Sequence, residues 1–360
     1  MHLNVTPDTT LRSGALTATL APAAGGRITS LSSRATAGER IDWLVPLDDA
    51  VRAGGFESTQ WPKAGCYPLV PFSNRIRDGR IAGTQGRVQL PLHPGERHAL
   101  HGVSQQRPWH LEQHAADRAT MTYVHVPGDH GWPWAFRAEQ GVALDCAGIT
   151  LSLRVTNDDR EPMPGGCGFH PYFPARFAHS LQFDARTVWP ADAEFLASTP
   201  QPTGPADDYA SAKALPDVEC TRYYGGWNGQ ARMAATDGPA IELLASSALQ
   251  HLVLHRPGPG AYFCVEPVSH VADAANLANE GIARMWSDLT NLASYNGSSC
   301  ASIARCKEWQ DKVQGALPQG SGAVTLDAST GDATVTVSWT AGGGEPHHYT
   351  IATTVAKAGS

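Results

Sequence analysis

The apolar runs of this 360-residue chain are short, and glycine or proline keeps interrupting them. With 36 Gly and 26 Pro, the sequence favours strands joined by turns over long helices. Leu16 to Ser30 reads as a strand, a turn at Ala23-Ala24-Gly25-Gly26 and a second strand. Ile149 to Asn157 alternates at period two, as a half-buried antiparallel strand does. Asp42–Pro46, Val88–Leu90, Leu181–Phe183, Thr187–Trp189, Leu252–His255 and Tyr262–Pro267 read as further strands. Asp237-Gly238 is a two-residue hairpin signal between Ala231–Ala234 and Ala240–Leu244. The pattern changes near Leu277. Ile282, Met285, Trp286, Leu289, Leu292 and Ala293 recur at three- and four-residue spacing, which predicts an amphipathic helix. A shorter helix is expected from Ile303 to Leu317, stopped by Pro318, with strands at Ala323–Leu326, Ala333–Trp339 and Tyr349–Val355. The expected organisation is mainly β: a sandwich domain over 1–277 and a small α+β tail over 278–360.

Charge and cysteine use exclude several functions. Lys and Arg total 27 against 34 Asp and Glu, a net charge of −7, and no basic run stands out, so nucleic acid is not the expected partner. Cys66, Cys146, Cys167, Cys220 and Cys264 are scattered, as in reduced intracellular thiols, while Cys300 and Cys306 are close enough for a small disulfide loop. No Cys-x-x-Cys pair points to structural zinc. The start of the chain does not read as a signal peptide and no run is apolar enough to span a membrane, so the expectation is a cytoplasmic protein. No nucleophile elbow, phosphate-binding loop, His-Glu-x-x-His or dinucleotide fingerprint is found.

Five residues carry the chemistry. In Gly166-Cys167-Gly168-Phe169-His170-Pro171-Tyr172-Phe173-Pro174 a histidine lies among aromatics, glycines and prolines. Glycine lets backbone approach a ligand and proline fixes φ, so the imidazole can be aimed. Histidine titrates near neutrality, and aromatic faces suit a sugar ring. A core histidine in a tight corner fits the same stretch. Pro68 and Pro71 deliver Asn74 and Arg75 on a loop, where an amide and a planar fork of donors suit a polyhydroxylated ligand; a solvated turn is the plainer reading. His101 precedes Gly102 and is one of 15 histidines, so chance placement competes. Glu266 closes the apolar run Tyr262–Pro267, a costly position unless the carboxyl has a partner or a task, or has reached solvent at the strand end. A carboxylate and an imidazole facing one sugar make a general base and a general acid.

These segments together resemble the aldose 1-epimerases, the galactose mutarotase-like proteins, from about Leu11 to Leu277. The matching stretches are Pro71-Phe72-Ser73-Asn74-Arg75-Ile76, Leu100-His101-Gly102, Gly168-Phe169-His170-Pro171-Tyr172-Phe173, Gly225-Gly226-Trp227 and Val265-Glu266-Pro267-Val268-Ser269-His270 with Asp273 and Asn276. The resemblance implies a large antiparallel β-supersandwich and interconversion of the α and β anomers of a free aldose, a hexose. It assigns Glu266 as base, His170 as acid, and Arg75, Asn74 and His101 as substrate-binding groups, with no metal or redox cofactor. The expected pair is an ionised Glu266 and a His170 whose pKa a nearby carboxylate raises, the two standing far enough apart to hold a pyranose between them. Thr221 occupies the place of the family's sugar-binding aspartate, with Asp217 close by. The tail resembles the soluble part of a minor type IV pilin through Ala283–Leu289, Cys300/Cys306, Trp309 and Thr334–Trp339. A carbohydrate-binding protein without turnover and a pilus-associated protein are therefore the alternatives to the isomerase.

Overall fold

Strand alternation places each residue of the Tyr262–Val268 strand on one of two cores. Phe263 and Val265 enter one, while Cys264 and Val268 enter the other. A strand buried on both faces lies inside a layered protein rather than at its surface. The computed structural model describes residues 7–35, 38–48, 62–83, 86–161, 163–198, 200–236, 238–276, 294–317, 319–327, 332–340 and 346–354. Its principal sheet runs Thr9–Ser13, Leu16–Ala21, Arg27–Arg34, Cys66–Leu69, Gly168–Pro171, Tyr262–Val268, His251–Pro257, Glu219–Gly225, Thr187–Pro190, Gln201–Pro202. These neighbours pair antiparallel.

One face of this sheet packs against two smaller antiparallel sheets. The first joins His110–His114, Arg118–His125, Phe136–Leu144 and Ile149–Asn157; the second joins Ser180–Phe183, Gln230–Ala234 and Ala240–Leu244. Leu20, Ile28 and Val265 from the principal sheet share a core with Met121 and Phe136 from one partner and Leu181 and Met233 from the other. The mainly β sandwich read from the alternation is therefore present, and the Ile149–Asn157 strand is half-buried as expected.

One local expectation needs correction. The strand expected at Asp42–Pro46 is instead Arg40–Asp42. From Trp43 onward the backbone splits its bonds, Trp43 N–H donating to Leu31 O and Val45 N–H to Tyr172 O, so no single ladder continues. For the hairpin expected at Asp237-Gly238, ladder pairing ends at Ala234 and Ala240, Ala235 N–H reaches Pro239 O at 3.5 Å, and Asp237 lies outside the described residues.

The tail adds a helix, α1 (Ala304–Ala316), and a three-stranded antiparallel meander, Ser321–Asp327, Asp332–Thr340 and Pro346–Thr354. Both match the expected elements; the helix expected over 282–293 lies outside the described residues. Cys300 and Cys306 form a disulfide. The meander is a separate sheet, and the tail packs on the second face of the principal sheet. Trp309 and Val313 of α1 join Trp189, Tyr223 and Val253 in one core. His251 Nε2 lies 3.1 Å from Gly315 O, and a Cβ on Gly315 would come within 3.0 Å of the Trp189 ring. Among the described residues no helix is long and apolar enough to cross a membrane.

Candidate active site

Register alone brings the two candidate proton-transfer groups together. Gly168 pairs with Val268 and Phe173 with Phe263, so His170 falls opposite Glu266 on the adjoining strand. Pairing continues from Tyr67 to His170 on one side and from Glu266 to Val253, Tyr223 and Trp189 on the other. These side chains form a row across the second face of the sheet. One pleat along the strands, Cys264, His255 and Thr221 form a parallel row. Side chains opposite one another on an antiparallel pair touch, which explains why residues so distant in sequence share a site.

The loop carrying Asn74 and Arg75 is tied to the His101 loop by a short ladder. Arg75–Ile76 pairs with Ala99–Leu100. At its mouth Asn74 and His101 both take left-handed conformations, φ 55° and 63°. Asn and His are both enriched among the non-glycine residues that adopt that region, which the surrounding structure must still hold. Reciprocal bonds hold it: His101 N–H donates to Asn74 O at 2.9 Å, and Asn74 N–H donates to His101 Nδ1 at 3.2 Å. Nδ1 is thus an acceptor, and the neutral ring carries its proton on Nε2. Gly102 follows with φ 75°, where a Cβ would sit 2.0 Å from Val70 O. From the other side, Asp273 accepts from Arg77 N–H at 2.9 Å and from Asn276 Nδ2 at 2.8 Å, while Ser73 N–H donates to His270 Nε2 at 3.3 Å. His270, Asp273 and Asn276 therefore hold the Ser73–Arg77 loop in place.

A cavity of about 310 Å³ opens over these rows and is lined by all five candidates: Asn74, Arg75, His101, His170 and Glu266. The His170 ring lies between Tyr67 and Tyr172, with centroids 5.0 and 4.6 Å away, and His101 meets it edge-on at 5.0 Å. Arg75 makes two 2.8 Å bonds to Glu96 and lies 4.9 Å above the Phe195 ring. Asn74 Oδ1 accepts from Arg75 N–H at 2.9 Å and lies 3.2 Å from the Tyr223 hydroxyl. His170 Nε2 is 3.6 Å from Glu266 Oε1. Among the described residues, His170 Nδ1 and Glu266 Oε2 are buried without a hydrogen-bond partner. Orphaned polar atoms of this kind call for a ligand or water.

Electrostatics corrects the simple protonation picture. Burial pushes the Glu266 carboxyl up to about 8, against the opposing pull of Arg75 and Lys63. Burial also holds His170 well below its ordinary value of 6.5, reinforced by His101, His255, Lys63 and Arg27. His101 is likewise driven to neutrality by burial and then by Arg75. Desolvation penalises whichever form is charged, so the expected ionised Glu266 beside a raised His170 is not the resting state. Nor do the two groups stand on opposite sides of a sugar-sized gap; they are neighbours. The hydroxyl oxygen at C1 and the ring oxygen share one carbon, so adjacent groups are what reaching both requires.

Other residues of the site gave little signal in the sequence. Lys63, Glu96, Phe195 and His255 line the cavity. His255 sits in an apolar strand, and only the register with Cys264 reveals its face. Thr221 is at the site, with its hydroxyl 2.9 Å from His255 Nδ1. Asp217 is not: it pairs with Arg256 and lines a different surface hollow. A His170 ring nitrogen, Cys264 Sγ and a Glu266 carboxyl oxygen lie within 4.8 Å of one another, a donor set able in principle to hold a cation. Burial keeps the Cys264 thiol well above 9, whereas metal binding needs the thiolate, so the fit is poor.

Comparison with known proteins places this geometry. The family model described as aldose 1-epimerase matches residues 7–283. The uncharacterized protein YphB of Escherichia coli K12 is 31% identical over 220 residues, covering 58% of this chain and 74% of YphB. A crystal structure of a candidate aldose 1-epimerase from Escherichia coli K12 superposes with TM-score 0.65 at 28% identity, covering 75% of this chain and 90% of that one. A galactose mutarotase-like protein from Clostridium acetobutylicum shares the fold with TM-score 0.64 at 18% identity, covering 74% and 86%.

Proposed function

The chain belongs to the aldose 1-epimerase family, and from that premise we propose that it interconverts the α and β anomers of a free aldose through Glu266 and His170. The observation carrying this reading is the cross-strand pair itself: Nε2 and Oε1 lie 3.6 Å apart beside a sugar-sized cavity. Glu266 as carboxylate takes the proton of the C1 hydroxyl while His170 as imidazolium protonates the ring oxygen. The C1–ring-oxygen bond breaks, the aldehyde turns about C1–C2, and closure on its other face gives the second anomer with the roles exchanged.

The step needs one proton on the pair. Carboxylic acid with imidazole and carboxylate with imidazolium hold the same proton count and the same net charge. Burial favours the first arrangement in the empty site. Sugar hydroxyls favour the second; the fields of Arg75 and Lys63 favour its carboxylate, while that of Lys63 opposes its imidazolium. Moving between them requires no proton from bulk water. Asn74, Arg75 and His101 are the substrate-binding groups of this reading. Each acid or base is worth roughly 10²–10⁴-fold in rate.

Freshly dissolved α-anomers of glucose and galactose, followed by polarimetry and NMR, test the proposal. Wild type should accelerate anomer exchange, and Glu266→Gln or His170→Asn should lose most of that acceleration while still binding sugar. Near-normal rates in either variant would remove that residue from its role. Binding without acceleration by the wild type would identify a carbohydrate-binding protein instead. For the tail, the Cys300–Cys306 bridge favours a second reading, a pilus-associated module in an oxidising compartment. Recovery of the chain from a reducing compartment with both thiols free would eliminate it.

A further inference from the structure

Charged side chains around the cavity do not cancel. Arg75 is matched by Glu96 through two 2.8 Å bonds. Glu266 is pressed toward its neutral acid, and His101, His170 and His255 toward neutral imidazole, in each case first by burial. Lys63 also lines the cavity and, among the described residues, has no carboxylate within ion-pair distance. Its charge is felt by His101, His170, His255, Cys264 and Glu266, so the ammonium overlooks both rows of the site. Lys63 is exposed, partial burial of its side chain lowers its pKa while Cys264 and Glu96 oppose that shift, and the cavity thus carries a cation with no carboxylate bonded to it among the described residues.

Resting on the anomerase reading, we propose that the preferred substrate is an aldose bearing a single negative charge, a hexuronate whose C6 carboxylate meets Lys63. A neutral hexose leaves the ammonium without a bonded counter-charge, whereas a carboxylate supplies one and gains a charge-assisted bond. C6 is attached to C5, which carries the ring oxygen that His170 addresses, so the carboxylate stays beside the reacting centre. His255 completes the anion's surroundings with a donor: if the Thr221 hydroxyl gives its proton to His255 Nδ1, the neutral ring presents Nε2–H. A carboxylate at position 221 would repel the same anion. One lysine balances a monoanion, which separates a uronate from a phosphate ester of roughly −1.5 to −2 charge.

Rates of anomer exchange for glucuronate and galacturonate, measured against glucose, galactose and their 6-phosphates at low ionic strength, decide the matter. The expected result is a kcat/KM for the uronates roughly 10- to 100-fold above the neutral hexoses. Lys63→Met should collapse that ratio toward one and Lys63→Arg should keep most of it. A wild-type ratio near one, a ratio unmoved by Lys63→Met, or faster exchange of the 6-phosphates than of the uronates overturns the inference. Acceleration of neutral hexoses with a ratio near one sinks the uronate alone. Acceleration of no sugar sinks the proposed activity with it.

Discussion

Replacing Glu266 by Gln should make the protein more stable as pH rises, while removing its activity. The carboxyl is buried and its Oε2 has no hydrogen-bond partner among the described residues, so the folded chain resists ionising it and its pKa moves from 4.5 to about 8. An unfolded chain ionises it near the ordinary value. Between these two values the unfolded state binds fewer protons than the folded one, so stability falls as pH rises. A separation of about 3.5 units at 1.36 kcal/mol each amounts to about 5 kcal/mol above pH 8. Gln has the same shape and no such titration. The variant should match the wild type near pH 4.5, then exceed it by a growing margin that levels off above pH 8. Chemical denaturation of both proteins across that range measures the difference, and titrating groups remote from Glu266 cancel in the subtraction. A gap that is constant with pH would refute the account, because it would mean that the carboxyl ionises alike in the folded and unfolded chains.

Three further outcomes follow from the same geometry. The pair holds its one working proton between the low pKa of His170 and the pKa of about 8 of Glu266, so kcat/KM should persist past neutrality and fall above roughly pH 8; a fall beginning near 6.5 would restore the unperturbed pair. Gly102→Ala meets Val70 O at 2.0 Å in a left-handed backbone, so it should cost about 1–3 kcal/mol and slow exchange by displacing His101, as thermal melts and rate assays will report. Reducing Cys300–Cys306, separated by 6 positions, releases a short closed loop and should cost about 2 kcal/mol, read as a denaturation midpoint lowered by reductant.

Local pattern carried the strands, because alternation and turn residues act over a few positions. Ile149–Asn157 is a case where the period is the whole signal, and Tyr262–Val268 one where a short apolar run is. Asp42–Pro46 misled because nothing local says that Trp43 and Val45 will bond to different strands. His170 and Glu266 were legible as residue types in unusual settings, whereas their adjacency was not. It depends on the register of Gly168 against Val268, which is a fact about two strands nearly a hundred positions apart. His255 was hidden for the same reason, and Lys63 and Glu96 lie in loops that only the fold brings to the cavity. The protonation state was misjudged because reference pKa values assume water, and the depth of burial is not written in a heptapeptide.

A sheet face that carries a polar site has to end somewhere, and here it ends under the tail. The row from Tyr67 through His170 and Glu266 continues to Val253, Tyr223 and Trp189, which share a core with Trp309 and Val313 of α1. Tyr223 belongs to both halves: its ring packs in that core, and its hydroxyl donates to Phe195 O and lies 3.2 Å from Asn74 Oδ1. Uncovered, Trp189 and Val253 would present apolar surface to water beside the cavity, at roughly 25 cal/mol for each Å². Water at that edge would also raise the local dielectric and relax the desolvation that holds Glu266 near 8. Among the described residues the tail makes no hydrogen bond to Glu266 or His170, yet its core residues cover the far end of their row. Under the proposed function, its contribution to the chemistry would be the dryness in which a carboxyl and an imidazole share one proton.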